Sequence, residues 1–269
     1  MRQFQKIIQY LAFAFAIFLV VTIIQYSAYF VDFIAPMLGL EHSSNSGKVE
    51  KIISLESNQI SYLDIDLIAA NIEIKQGECF EAKTSNKNIT CQQKGQKIKI
   101  KEKKKNVFAN GSSEKITITI PDDLILDAVD IDAGAGKVAI DKIQAKTGNF
   151  DLGAGQFTVK DIYILEELKI DSGAGKVTIS NGTIHNLDLE MGVGKADICC
   201  LLTGHSKIEA GIGELQLQLL EETNGYSFKV EKDIGSISYN GKDIDSSSFG
   251  YGTNFIDIEG GIGSIKIND

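Results

Sequence analysis

Acidic residues recur at one fixed position in the second half of the chain. Seven related ten-residue segments each carry Asp or Glu four residues before a recurring glycine: Asp132, Asp151, Asp171, Glu190, Glu209, Glu231 and Glu259. If the segments stack in register, these carboxylates form a column of like charges at short spacing. Such a column needs neutralising, either by bound cations or by Lys137, Lys176 and Lys195 of the same segments.

Two interpretations of this column stay open. Calcium takes several oxygen ligands, so a row of Ca²⁺ sites would use Asp132, Asp151, Asp171, Glu190 and Glu209. Alternatively, the acids lie on a solvated edge and cap the glycine turn through local backbone hydrogen bonds. We favour the solvated edge, because the calcium-binding β-roll pattern has a different residue order and a nonapeptide period.

Lysines concentrate in a second place, with seven of them between residues 94 and 105. As a binding surface, this segment would suit an anionic envelope polymer or lipid headgroups. As a structural feature, it is the outer face of a strand and a hairpin tip, where lysine keeps an edge from aggregating. We favour the structural interpretation.

Signatures of catalysis are missing from the sequence. It has no H-E-x-x-H, G-x-S-x-G or Cys–His signature, and its G-x-G pairs lack the third glycine of nucleotide loops. His185 and His205 lie twenty residues apart in or near predicted turns, where surface histidines are common. We therefore expect no enzymatic activity and no cofactor, and no catalytic residue is assigned.

The recurring glycines predict the architecture. The second glycine of each segment falls at Gly136, Gly155, Gly175, Gly194, Gly213, Gly235 and Gly263, and the first at Gly134, Gly153, Gly173, Gly192, Gly211 and Gly261. The second glycines are 19, 20, 19, 19, 22 and 28 residues apart. A step near 20 residues is typical of a solenoid, whose coils bury their apolar faces by stacking. We predict an all-β protein with a single β-solenoid (β-helix), preceded by one N-terminal transmembrane α-helix.

Alternating apolar residues on both sides of the glycines predict the core. One inward column contains Val138, Phe157, Val177, Ala196, Leu215, Ile237 and Ile265, and a second contains Ile140, Val159, Ile179, Ile198, Leu217, Tyr239 and Ile267. Each large aliphatic side chain contributes roughly 1.5–3 kcal/mol when buried. Residues 65–74 fit the same pattern with Ala70 in place of the second glycine, so they are predicted as a degenerate first coil.

An apolar segment near the N-terminus predicts a membrane anchor. Residues 7–24 carry no charge, close to the ~20 residues that cross a bilayer, and Arg2 and Lys6 precede them, which places the N-terminus in the cytoplasm. A cleaved signal peptide is the alternative, although its apolar region is usually shorter. The predicted domains are a cytoplasmic N-terminus (1–6), a signal anchor and juxtamembrane segment (7–40, with 7–34 in lipid), a linker (41–58), an N-terminal β region or cap (59–125) and the solenoid (126–269).

The amino-acid composition limits the classes of molecule that the protein can bind. The net charge is −9, and Arg2 is the only arginine, so the exported part lacks the guanidinium fork that recognises phosphate and guanine. Nucleic acid is therefore excluded as a partner. Two states are compatible with Cys79 and Cys91: a disulfide that closes a small loop, or two free thiols. The adjacent Cys199 and Cys200 are expected to point to opposite faces of a strand.

Residues 168–179, with the sequence LKIDSGAGKVTI, carry a family resemblance. This motif and its repeats over roughly 60–269 resemble the bacterial putative-adhesin family of unknown function, which is related to extracytoplasmic domains of envelope-stress regulators. The resemblance implies a right-angled β-solenoid and brings no catalytic residues. The N-terminal anchor departs from many relatives, which have several spans or a cytoplasmic zinc ribbon.

These observations lead to an expected function. We expect a single-pass protein of the bacterial cell membrane, whose C-terminal domain is extracytoplasmic and serves as a non-enzymatic interaction or sensing module. Its partner would be an envelope membrane protein or a wall polymer. A surface adhesin for polysaccharide or a host ligand is the main alternative, and an enzyme acting on envelope glycans is a weaker one.

Overall fold

The computed structural model describes residues 51–54, 60–103, 114–220 and 225–268. These residues form β1 Lys51–Ser54, β2 Tyr62–Gly77, β3 Glu81–Thr84, β4 Ile89–Lys94, β5 Lys97–Glu102, β6 Glu114–Pro121, β7 Leu126–His185, β8 Leu187–Thr203, β9 His205–Leu219, β10 Tyr226–Tyr239, β11 Lys242–Ile244, β12 Ser247–Gly250 and β13 Asn254–Asn268. None of the described residues lies in a helix that is both long enough and apolar enough to span a bilayer. The predicted anchor, residues 7–40, lies outside the described residues.

The long strands wind as parallel coils, which confirms the predicted all-β solenoid. β2 pairs in parallel with the start of β7, β7 with β8, and β8 with β9. β7 alone spans 60 residues because the glycine corners bend the chain without interrupting its ladder. Ile65 pairs with Ile131 and Ala70 with Gly136, so the predicted degenerate first coil is confirmed.

The last two coils do not stack in chain order. β13 pairs in parallel with β9 on one side and with β10 on the other. Ile262 therefore lies between Ile212 and Ile234. The longer steps of 22 and 28 residues allow this arrangement. The chain leaves one layer empty between β9 and β10, and β13 later occupies that layer. The coil formed by β10 is consequently the outermost one.

The predicted core columns lie inside the solenoid. Val177 and Ile179 are each 1% exposed, and the other members are buried as well, apart from Tyr239, which is partly buried. Phe150 and Phe157 pack ring against ring, with centroids 5.2 Å apart. Both columns belong to one continuous apolar core that runs from Ile60 to Ile267.

Short strands cover both ends of the solenoid. At the N-terminal end, β5 and β6 lie parallel to the two halves of β2, and β4, β3 and β1 add antiparallel pairs beyond them. β1 falls within the segment predicted as a linker. At the other end, β11 and β12 pair antiparallel with β10. Short antiparallel strands of this kind protect the open edges that a stack of coils leaves.

Candidate functional site

The glycine corners hold neighbouring coils unusually close together. The second glycines adopt positive φ, for example 141° at Gly175 and 146° at Gly194. A Cβ atom at either position would run into the carbonyl oxygen of the glycine in the preceding coil. Only glycine satisfies both the backbone conformation and this approach. The backbones of neighbouring coils are therefore in direct contact at the corner glycines, and the corner side chain comes from the residue between the two glycines, for example Ile212 or Ile262.

The acidic column forms in register, as the spacing predicts. Asp171 pairs with Glu190, Glu190 with Glu209, Glu209 with Glu259, and Glu259 with Glu231. At the other end Asp66, which the sequence pattern missed, pairs with Asp132 and extends the column into β2. Neighbouring carboxylates are therefore about one strand spacing apart, ~4.8 Å.

The lysines that meet the column are not the ones the sequence suggested. Lys176 lies 2.8 Å from Asp197 and Lys195 lies 3.0 Å from it. Both lysines therefore neutralise a carboxylate on the strand that follows the corner. They point away from the column because the chain turns between the acid and the lysine of each segment.

Three lysines outside the predicted set contact the column instead. Lys101 lies 2.8 Å from Asp66, Lys207 pairs with Glu209, and Lys229 lies 3.4 Å from Glu231. Within the described part of the chain, no lysine forms an ion pair with Asp132, Asp151, Asp171, Glu190 or Glu259. Charge on the column is thus only partly balanced.

Asp132 shows the electrostatic consequence. Partial burial and the neighbouring carboxylates of Asp151 and Asp66 raise the pKa of Asp132, and Lys101 offsets only part of this effect. The charged form of Asp132 is therefore disfavoured in the folded protein.

An open acidic groove of about 700 Å³ runs along the column at its C-terminal end. Its walls carry six acids and one lysine: Asp171, Glu190, Glu209, Glu231, Asp233, Glu259 and Lys232. Among the described residues, no three His, Cys, Asp or Glu side chains converge in a way that could hold a metal ion. The row of calcium sites stays a prediction that a titration would test.

The lysine-rich segment lies beside acids of the first coil. Lys97 and Lys99 approach Asp64 to 2.8 and 3.0 Å. Burial raises the pKa of Asp64, but hydrogen bonds and charge from both lysines outweigh it, so the net effect is a lowered pKa. With Lys101 on Asp66, three lysines of β5 form ion pairs with two carboxylates of β2, which supports the interpretation of this segment as a strand face.

The cysteines carry no site chemistry in this structure. Cys79 and Cys91 are not joined in a disulfide, and of the adjacent pair Cys200 is buried while Cys199 is partly exposed, as predicted. Burial, with a smaller contribution from Cys199, raises the pKa of the Cys200 thiol to about 12. Cys200 therefore stays protonated and unreactive at neutral pH.

The two histidines lie in adjacent coils without forming a catalytic pair. His185 contacts Thr203, with 3.0 Å between Nδ1 and Oγ1. The His205 ring instead faces Phe255, with ring centroids 6.1 Å apart. Sequence reasoning missed this second environment, because Phe255 reaches His205 only through the insertion of β13 beside β9.

Glycine corners, stacked parallel coils and strands over both ends define a glycine-rich β-solenoid, and the comparison with known families agrees. Residues 60–251 match the family model described as Toastrack DUF4097. Because this match covers most of the chain, the protein belongs to the DUF4097 family. This confirms the resemblance to the putative-adhesin family. No match was found among curated proteins.

Solved structures give more distant likenesses. A putative cell adhesion protein from Clostridium sporogenes is 20% identical, with 81% of this chain and 98% of that one covered, at a TM-score of 0.33. A putative adhesin from Parabacteroides distasonis is 13% identical, with coverages of 82% and 96% and a TM-score of 0.41. A putative lipid binding protein from the same organism is 13% identical, with coverages of 81% and 96% and a TM-score of 0.37. We base no functional argument on these three.

Proposed function

We propose that the protein is a membrane-anchored, extracytoplasmic β-solenoid that serves as a non-enzymatic interaction module of the bacterial cell envelope. The apolar, uncharged residues 7–24, with Arg2 and Lys6 before them, support the anchor and its orientation.

One observation carries the proposal: exposed apolar side chains concentrate on the last coils of the solenoid. Of nine large hydrophobic residues exposed in the described part, five lie between residues 205 and 268: Leu220, Ile234, Tyr251, Phe255 and Ile262. The acidic groove reaches the same coils. Ile234 and Ile262 pair in register, and Tyr251 and Phe255 line one cavity of the same coils. Exposed apolar groups bordered by charge mark interaction surfaces, so this end of the solenoid is the binding end.

Site-specific crosslinking in the native cells tests this function. A photoreactive amino acid would replace Ile234, which is 66% exposed on the outermost coil, in the full-length protein. A matched variant would carry it at Leu165, which is 59% exposed in β7. A recurring membrane protein or wall polymer attached at position 234, and absent from position 165, is the expected result. Equal adducts at both positions, or none at either, would contradict an interaction end.

The anchor needs its own measurement. Full-length protein should stay in the membrane pellet after alkaline carbonate extraction, and protease added to intact protoplasts should degrade the solenoid. A solenoid that survives protease until the membrane is lysed would reverse the proposed orientation.

A further inference from the structure

A second cavity, which we call the aromatic groove, crosses the outward face of β9, β13, β10 and β12. It measures about 480 Å³ and includes His205, Ser227, Lys229, Tyr251, Phe255 and Asp257 in its lining. It exists because β13 inserts between β9 and β10 and because β12 folds back on β10. The groove thus depends on two segments that interrupt the regular order of the coils.

One row of the groove is aromatic. Phe255 pairs in register with His205 on one side and with Ser227 on the other, and Ser227 pairs with Gly250. Phe255 is 52% exposed. Gly250, whose backbone lies close against Tyr226 and Ser227, brings the fully exposed Tyr251 next to this row. Two accessible rings therefore border an open slot.

The floor beneath this row is buried and closely packed. Phe228 and Ile256 are 3% and 1% exposed, and they lie under the groove between the outward residues of β10 and β13. Phe228 stacks on Phe249 of β12 with centroids 4.9 Å apart, and Tyr239 packs against Phe249 at the same separation. This cluster fixes β12, and with it the far wall of the groove, before any ligand arrives.

The second row of the groove is polar and carries no net charge. Lys229 pairs in register with Asp257 and with Ser248, and its Nζ atom lies 3.6 Å from Asp257 Oδ1. This separation is too long for a good hydrogen bond, and Asp257 Oδ1, which is itself buried, accepts none from the described residues. The Lys229 ammonium and the rest of the Asp257 carboxylate, whose side chains are 48% and 26% exposed, therefore offer hydrogen bonds to a ligand without selecting for its charge, in contrast to the acidic groove.

We propose that the aromatic groove binds a pyranose ring of a neutral polysaccharide. A pyranose has one face of C–H groups, which suits the electron-rich face of Phe255 or Tyr251, and a rim of hydroxyls, which suits Lys229, Asp257 and Ser248. A lipid chain would strip water from the lysine and aspartate without replacing it. An ionic ligand would find no net opposite charge. The volume falls in the usual range for small-ligand sites.

This inference rests on the proposed function, since it names the chemistry of the partner that the binding end takes. The two proposals can be tested separately, because the aromatic groove and the acidic groove involve different side chains. If a protein partner is crosslinked at position 234 but no sugar binds, the proposed interaction module is retained and only the saccharide proposal is refuted.

Saturation-transfer NMR on the full-length protein in detergent micelles tests the saccharide. The probes are the methyl glycosides of glucose, galactose, mannose and N-acetylglucosamine, each at millimolar concentration. We expect transfer to the ring C–H protons of at least one glycoside. Tyr251→Ala and Phe255→Ala should each weaken its binding by about fivefold or more, the loss expected for one stacked ring. Leu165→Ala, which removes from β7 an apolar group about as exposed as Phe255, should change nothing.

The variants keep the test decisive. Tyr251 is fully exposed, so its truncation removes no buried contact and leaves the melting temperature unchanged. Transfer lost in Tyr251→Ala and Phe255→Ala but kept in Leu165→Ala supports the site. Transfer to none of the four glycosides, or transfer that is the same in all variants, would overturn it.

Discussion

Replacing Gly194 by alanine should break the contact between two coils. The residue has a φ of 146°, and an added Cβ atom would lie 1.8 Å from the carbonyl oxygen of Gly175, where real contacts need at least 3.0 Å. The coils would have to separate locally by about 1.2 Å, which stretches adjacent ladder hydrogen bonds beyond useful length.

The expected cost follows from these two effects. Backbone strain costs about 1–3 kcal/mol, and two weakened ladder hydrogen bonds cost about 0.5–1.5 kcal/mol each. The two terms together give about 4 kcal/mol at their midpoints, which corresponds to a melting temperature roughly 8–16 °C lower for a domain of this size. Thermal melts followed by far-ultraviolet circular dichroism, with the full-length protein in detergent, would measure it.

Gly95 provides the matched control. It also has positive φ, at 58°, but an added Cβ atom meets nothing within 4 Å. Gly95→Ala should therefore cost only the backbone term, about 1 kcal/mol. If Gly194→Ala melts no lower than Gly95→Ala, close stacking of the glycine corners does not hold the coils together.

Three further predictions follow from the core, the acidic column and the thiols. Val177→Asp should abolish the cooperative melt, because it places a charge among buried aliphatic groups. The control Ser180→Asp, on the exposed face of the same coil, should melt like the parent protein. An unchanged melt of Val177→Asp would refute the packing of the core. Asp132→Asn should raise the urea midpoint near pH 7, because a folded-state pKa above the unfolded value penalises the charged form. The gain should disappear at about pH 3, where the carboxyl is protonated in both states, and a gain that persists there would have another cause. Maleimide at neutral pH should label Cys79 and spare Cys200 until urea unfolds the chain, as mass spectrometry would show; rapid labelling of native Cys200 would contradict its burial.

The sequence predicted the parts of the fold that depend on local periodicity. The glycine spacing and the alternation around Val177 and Ile179 identified the coils and their core, because each coil repeats the same local solution. Ala70 was recognised as a glycine equivalent for the same reason. The acidic column followed directly from the register of the coils.

Features that depend on contacts between distant segments could not be read in this way. The position of β13 between β9 and β10 leaves only an indirect trace, the longer steps between glycines. The partners of Lys176 and Lys195 depend on where the corner turns the chain, which spacing alone does not determine. The aromatic groove requires both the insertion of β13 and the return of β12, so its residues form no periodic pattern; the one signal in the sequence is the long turn over residues 240–254, which contributes part of the lining.

Disulfide trapping of coil order tests the central claim most directly, because the binding end exists only if β13 lies between β9 and β10. Cysteine pairs at positions 212 and 262, and at 234 and 262, join residues paired in register, about one strand spacing apart and within disulfide reach. Positions 212 and 234 are two layers apart, beyond that reach. We predict that mild oxidation links 212 to 262 and 234 to 262, as identified by peptide mapping, and does not link 212 to 234. A 212–234 disulfide with no 212–262 disulfide would mean that the coils stack in chain order, and would contradict the account.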